Sequence, residues 1–187
     1  MDAFLLTLIL TFAIAFGGRD QMIIAQFSDA TGRPVELLVL GMACAAATGT
    51  VMALAGWQIA ALLPDRAANM LVAIALVIAA FELAWPVRLR AMKEPTRSYV
   101  AIATVLVFRQ LLDAARFLIF AFAAQAIYPA VTIIGGALGG MAAIALGWVT
   151  GQRRLDAFPL YYLRVAMAAC SIVAGLFIGL GTRFSAL

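Results

Sequence analysis

Apolar runs separated by short polar turns follow one another along the whole of this chain, and that pattern leaves no route to a water-soluble core. Of the 187 residues, 66% are hydrophobic and 12% charged, against about 25% charged in an ordinary soluble domain. The mean hydropathy is +1.06. The chain therefore reads as an all-α polytopic membrane protein whose first partner is a lipid bilayer. A net charge of +4 raises the question of nucleic acid. The basic residues, however, lie mostly in the turns between apolar runs, with no basic stripe interleaved with aromatics, so a nucleic-acid partner is not expected.

Six spans can be drawn, at about 3–28, 35–62, 67–87, 99–127, 129–151 and 158–181. The first is the least obvious. Its uncharged part, Ala3 to Phe16, makes roughly 21 Å of helix against a hydrocarbon core of about 30 Å. To cross, the helix must continue through Gly17-Gly18-Arg19-Asp20, which places those charges at membrane depth. Residues 1–16 also carry Ala13-Ile14-Ala15, which mimics a signal-peptide cleavage site. Met1-Asp2 supplies no positive n-region, so the segment reads as a retained span. The fourth span behaves like the first: Val100 to Phe108 is too short alone, and Phe117 to Ala124 completes it beyond Arg109, Asp113 and Arg116. Spacings of four and three residues put those three side chains on one face of a continuous helix. A charge in hydrocarbon costs about 2.5–3.5 kcal/mol on insertion scales, so that face must look into the bundle or a wet cavity.

Topology follows from the turns. Arg33, the stretch Arg88–Arg97 and Arg153-Arg154 share one side and carry seven Lys/Arg residues, whereas Arg66 and Arg183 lie on the other. The positive-inside bias places the Arg88–Arg97 stretch in the cytoplasm and both termini outside it; the membrane expected is a cell membrane, a bacterial inner membrane. Sliding the chain over itself by 95 residues brings Pro34 onto Pro129, Gly41 onto Gly136, Pro64 onto Pro159, Ile24 onto Ile119 and Phe27 onto Phe122. The chain then divides into a first three-helix repeat at 1–87, a basic cytoplasmic linker at 88–98 and a second three-helix repeat at 99–187. An odd number of spans per repeat makes the halves inverted, the arrangement of secondary transporters with a site near the midplane. Prolines ending spans of similar length would produce part of the same coincidence.

The first helix reads Ala15-Phe16-Gly17-Gly18-Arg19-Asp20-Gln21, and Gly32-Arg33-Pro34 follows its end. With Gly56-Trp57 and Leu62-Leu63-Pro64, this resembles the Gdt-type family of manganese/calcium exporters over most of the chain. The resemblance implies six spans in two inverted halves, each with a Glu-x-Gly-Asp-Lys/Arg-Thr/Ser motif, and exchange of Mn²⁺ or Ca²⁺ for protons at the motif acids. In the first copy Gly17, Arg19 and Gln21 fit, while Ala15 and Gly18 stand in place of the two acids and Asp20 takes the Thr/Ser position. In the second copy Gln110 replaces the Glu, Leu112 the Gly, and Asp113 retains the Asp. The resemblance thus implies a degenerate cation site, with Asp113 and Asp20 as the residues left to hold a divalent cation. Hard cations want several oxygens and neutralising carboxylates, but here Asp20 and Asp113 face Arg19, Arg109 and Arg116.

The expected centre comprises Arg19, Asp20, Gln21, Gln110, Asp113 and Arg116. Two readings stand beside each other: a transport site in which Asp113 couples protonation to release, and an ion-pair ladder along the fourth helix. The second goes with a transport-inactive structural or accessory subunit of a larger membrane complex. Glu82, near the end of the third span, is expected to pair with Arg88 or reach the interface. Gly135-Gly136, Gly139-Gly140 and Ala143 read as a close-packing face. Trp57, Trp85 and Trp148 read as interface anchors, and Cys44 and Cys170 as buried apolar fillers. The chain has no histidine and no nucleophile–base pair, phosphate-cradling loop or haem motif, so an enzyme is not expected.

Overall fold

The computed structural model describes residues 2–87 and 98–184; the linker expected at 88–98 lies, but for Ser98, outside the described residues. The described residues are helical throughout, with no strand. In chain order the helices are α1 (Asp2–Ala15), α2 (Arg19–Thr31), α3 (Val35–Ala60), α4 (Asp65–Ala84), α5 (Tyr99–Leu111), α6 (Ala114–Gln125), α7 (Pro129–Ala157) and α8 (Leu160–Phe184). The prolines act as starts: Pro34 and Pro64 are the N-caps of α3 and α4, and Pro129 opens α7, positions where a missing N–H costs nothing.

Four helices, α3, α4, α7 and α8, are long and apolar enough to cross a membrane, and α1 with α2 makes a fifth if counted as one bent span. This is a membrane protein. The first and fourth spans are not the continuous helices expected from the sequence. α1 and α2 meet at a 62° bend. Gly17 sits there in the left-handed region at φ 66°, and Gly18 is extended at ψ 166°. The stretch expected as the fourth span is two helices, α5 and α6, parted where Leu112 leaves helical geometry and Asp113 is extended at ψ 142°. Each of these two helices is shorter than a bilayer crossing, and the pair is not among the candidate spans.

α7 is the hub, packed against α1, α2, α3 and α6; α3 lies across α5, α6 and α7; α4 pairs with α8 and touches α6. One buried cluster joins α1, α4, α6 and α8 around Leu76, Leu83 and Leu118, and a second joins α2, α3, α5 and α7 around Ile24, Leu37, Leu106 and Ile144. The glycine stripe of α7 is a close-packing face, as expected. A Cβ on Gly135 would stand 2.6 Å from the Phe4 carbonyl oxygen, and one on Gly139 2.5 Å from that of Leu8, so α1 is laid backbone to backbone on α7. Gly151, at φ 71°, kinks α7 near its end, and the Asp29 carboxylate of α2 accepts the Arg153 amide at 3.3 Å just beyond.

Large apolar side chains such as Ile9, Val39, Val105, Phe177 and Leu180 face outward, as a lipid environment allows. Trp57 and Trp85 are exposed, whereas Trp148 is partly buried and donates from Nε1 to the Pro34 carbonyl at 3.0 Å, so it ties α7 to the start of α3. Cys44 is buried; Cys170 is exposed on α8, not the filler expected.

Replacing Gly139 by Val should cost about 1–3 kcal/mol through overpacking against the α1 backbone, read as a lower melting temperature in detergent. Gly181→Val, where nothing lies within 4 Å, should stay within about 0.5 kcal/mol. Equal effects would contradict the α1–α7 contact.

Candidate functional site

Both helix breaks open onto one cavity of about 520 Å³. At the first, the Gly17 amide donates to Gln21 Oε1 at 2.6 Å, and Gln21 Nε2 donates to the Ala143 carbonyl of α7 at 2.9 Å. A single buried glutamine thus closes the bend and fastens it to the hub. Gly17 also leaves room for a neighbour, since a Cβ there would lie 3.2 Å from Arg164 Cδ. At the second break Asp113 is the N-cap of α6, yet its side chain makes no capping bond. Glu82 of α4 does that work instead: its Oε2 accepts the Ala114 amide at 2.8 Å, a carboxylate set on the positive end of a helix.

Three acids and four arginines line the cavity: Asp20, Glu82 and Asp113 with Arg19, Arg109, Arg116 and Arg164. Arg109 Nε meets Asp20 Oδ1 at 3.4 Å, and Arg116 Nη1 meets Asp113 Oδ2 at 3.6 Å. These pairs correct the expected ladder along one face. The break at Leu112–Asp113 removes the helical register between Arg109 and Asp113, so Arg109 pairs across to α2. Arg116 is buried, and its Nε donates to Thr48 Oγ1 at 3.3 Å. Gly140 makes its space: a Cβ there would stand 3.1 Å from Arg116 Nη2. Thr48 Oγ1 lies 2.8 Å from the Cys44 carbonyl and 2.9 Å from Gln110 Oε1, with one proton to serve both acceptors.

The six residues expected at the centre, Arg19, Asp20, Gln21, Gln110, Asp113 and Arg116, all line this cavity. The sequence reading missed Arg164 and misplaced Glu82. Arg164 of α8 is 4% exposed, and its guanidinium donates to the carbonyls of Phe16, Glu82 and Leu83 at 3.1, 2.9 and 3.3 Å. Those oxygens sit at the ends of α1 and α4, where helices leave acceptors unsatisfied. An arginine inside an apolar span was the available signal, four residues into the last helix. Glu82 turns inward beside Asp113 instead of reaching the interface; the pairing expected with Arg88 lies outside the described residues.

Two buried polar atoms in this lining have no hydrogen-bond partner among the described residues: Asp20 Oδ2 and Gln110 Nε2. The described residues contain no group of three or more His, Cys, Asp or Glu side chains disposed to hold a metal ion. No family model matches the chain, and neither does any curated protein or solved structure.

Arg164→Met should strand three helix-end carbonyls away from water and lower stability by at least about 2 kcal/mol, measured by thermal unfolding. Glu82→Ala should cost about 0.5–2 kcal/mol through loss of the α6 cap, while Glu82→Gln, which keeps an acceptor for the Ala114 amide, should lose less.

Proposed function

We propose that this protein is an integral membrane secondary transporter of two inverted three-helix repeats, each with one broken helix, working through the charged cavity between the breaks. The observation that carries the reading is that Gly18 and Asp113, the N-caps of α2 and α6, stand 95 positions apart, the offset that superposes the prolines. Broken helices whose N-termini meet at a polar cavity are how such transporters present backbone and dipole to a cargo. The cavity reaches Trp85 and Val87, next to the basic linker. With the linker in the cytoplasm and both termini outside, it is open toward the cytoplasm of a bacterial inner membrane.

Asp113 and Glu82 are the proton-coupling acids in this reading, because Asp113 changes partner most simply: a proton or a cargo replaces Arg116. The resemblance to manganese/calcium:proton exchangers carries the architecture. A divalent cation as cargo would have Asp20 and Asp113 as charged ligands, against four guanidiniums that oppose it. A second reading, the transport-inactive accessory subunit, is favoured by the same pairs: Arg109–Asp20 fastens α5 to α2, and Arg164 fastens α8 to α1 and α4.

Proteoliposomes holding a pH dye, challenged in turn with Mn²⁺, Ca²⁺ and small organic ions, should show proton movement with at least one solute. Asp113→Asn should reduce it at least tenfold. No response to any solute, with stoichiometric co-purification of other membrane subunits, would replace transport by the accessory role.

A further inference from the structure

We infer that the cavity binds a small zwitterion, an amino-acid-like solute carrying one carboxylate and one ammonium; this rests on the cavity being the transport site. Its two unused buried groups are of opposite kinds. Gln110, which is 0% exposed, keeps Nε2 as a donor with no partner, and Asp20 keeps Oδ2 as an acceptor with none, among the described residues. A bare cation satisfies only the second and a simple anion only the first; a zwitterion satisfies both.

The chain itself illustrates how a carboxylate is held here. On α6, the Glu82 carboxylate occupies the helix N-terminus through the Ala114 amide. The counterpart on α2 has the extended N-cap Gly18 without a side-chain capping bond, and a shift of 95 places Phe177 where Glu82 would be. No carboxylate of the described residues sits on that end by a hydrogen bond. Beside it, Arg19 has neither an ion pair nor a hydrogen bond among the described residues, whereas Arg109 and Arg116 face Asp20 and Asp113, and Arg164 is spent on carbonyls. The cargo carboxylate therefore goes to the α2 N-terminus and Arg19, with Gln110 Nε2 as a further donor, and its ammonium goes to Asp20 Oδ2. A volume of about 520 Å³ falls within the roughly 300–1,000 Å³ of small-molecule sites and far exceeds the need of a single metal ion.

The test is equilibrium binding to the purified full chain in detergent, using α-aminobutyrate, butyrate and butylamine, which share a carbon skeleton and differ in the charged groups. α-Aminobutyrate should bind saturably and at least tenfold more tightly than either of the others. Arg19→Gln, at an exposed side chain, should weaken it at least tenfold, and Asp20→Asn should do the same; unliganded melting temperatures verify that both variants fold, and Arg19→Gln decides if Asp20→Asn does not. Butyrate binding as tightly as α-aminobutyrate, butylamine doing so, no saturable binding of any of the three, or an unchanged Arg19→Gln would each overturn the inference. Mn²⁺ or Ca²⁺ flux without amino-acid binding would sink it and leave transport standing; binding without flux of any solute would do the reverse.

Discussion

Hydrocarbon offers no hydrogen bonds, and the two interrupted helices of this protein are organised by that fact. Each interruption frees carbonyls and amides inside the bundle, where an unsatisfied backbone group costs about as much as a lost hydrogen bond. The structure meets the demand with side chains from distant parts of the chain. Gln21 closes the first bend and reaches Ala143; Glu82 caps α6; Arg164 gathers the ends of α1 and α4. Remove any of these and a backbone group is left in a low-dielectric interior.

The same constraint explains why the charges lie where they do. Seven ionisable side chains line one cavity, drawn from α2, α4, α5, α6 and α8 and from the α5–α6 break. Two guanidinium–carboxylate contacts, at 3.4 and 3.6 Å, are loose for salt bridges, and Asp20 Oδ2 and Gln110 Nε2 have no partner among the described residues. A purely structural network would gain from closing those contacts, because a half-satisfied buried network is worse than an apolar one. Those two unpartnered atoms stand beside one capped helix start, that of α6, and one without a side-chain cap, that of α2.

The glycines of α7 connect the packing to the site. Gly135 and Gly139 bring α1 onto the hub, Gly147 admits Gln21, and Gly140 admits the Arg116 guanidinium. One stripe of small residues therefore sets both the closeness of the bundle and the width of the cavity.

The sequence alone determined the solvent: apolar runs that long, with so few charges, belong in a bilayer. It also singled out Arg19, Asp20, Arg109, Asp113 and Arg116 as charges between apolar runs, which the structure brings to one cavity, and it located the starts at Pro34, Pro64 and Pro129. What it did not reveal were the partners. Helical periodicity assigns a face only while the helix continues, so the break at Leu112–Asp113 undid the expected Arg109–Asp113 register and sent Arg109 to Asp20. Glu82 and Arg164 lie more than 80 positions apart, as do Arg164 and Phe16. No local pattern encodes such a meeting. The tertiary structure decided it, since the packing of α4 against α8 and α6 is what turns a carboxylate near one helix end and an arginine near another helix start toward the same interior.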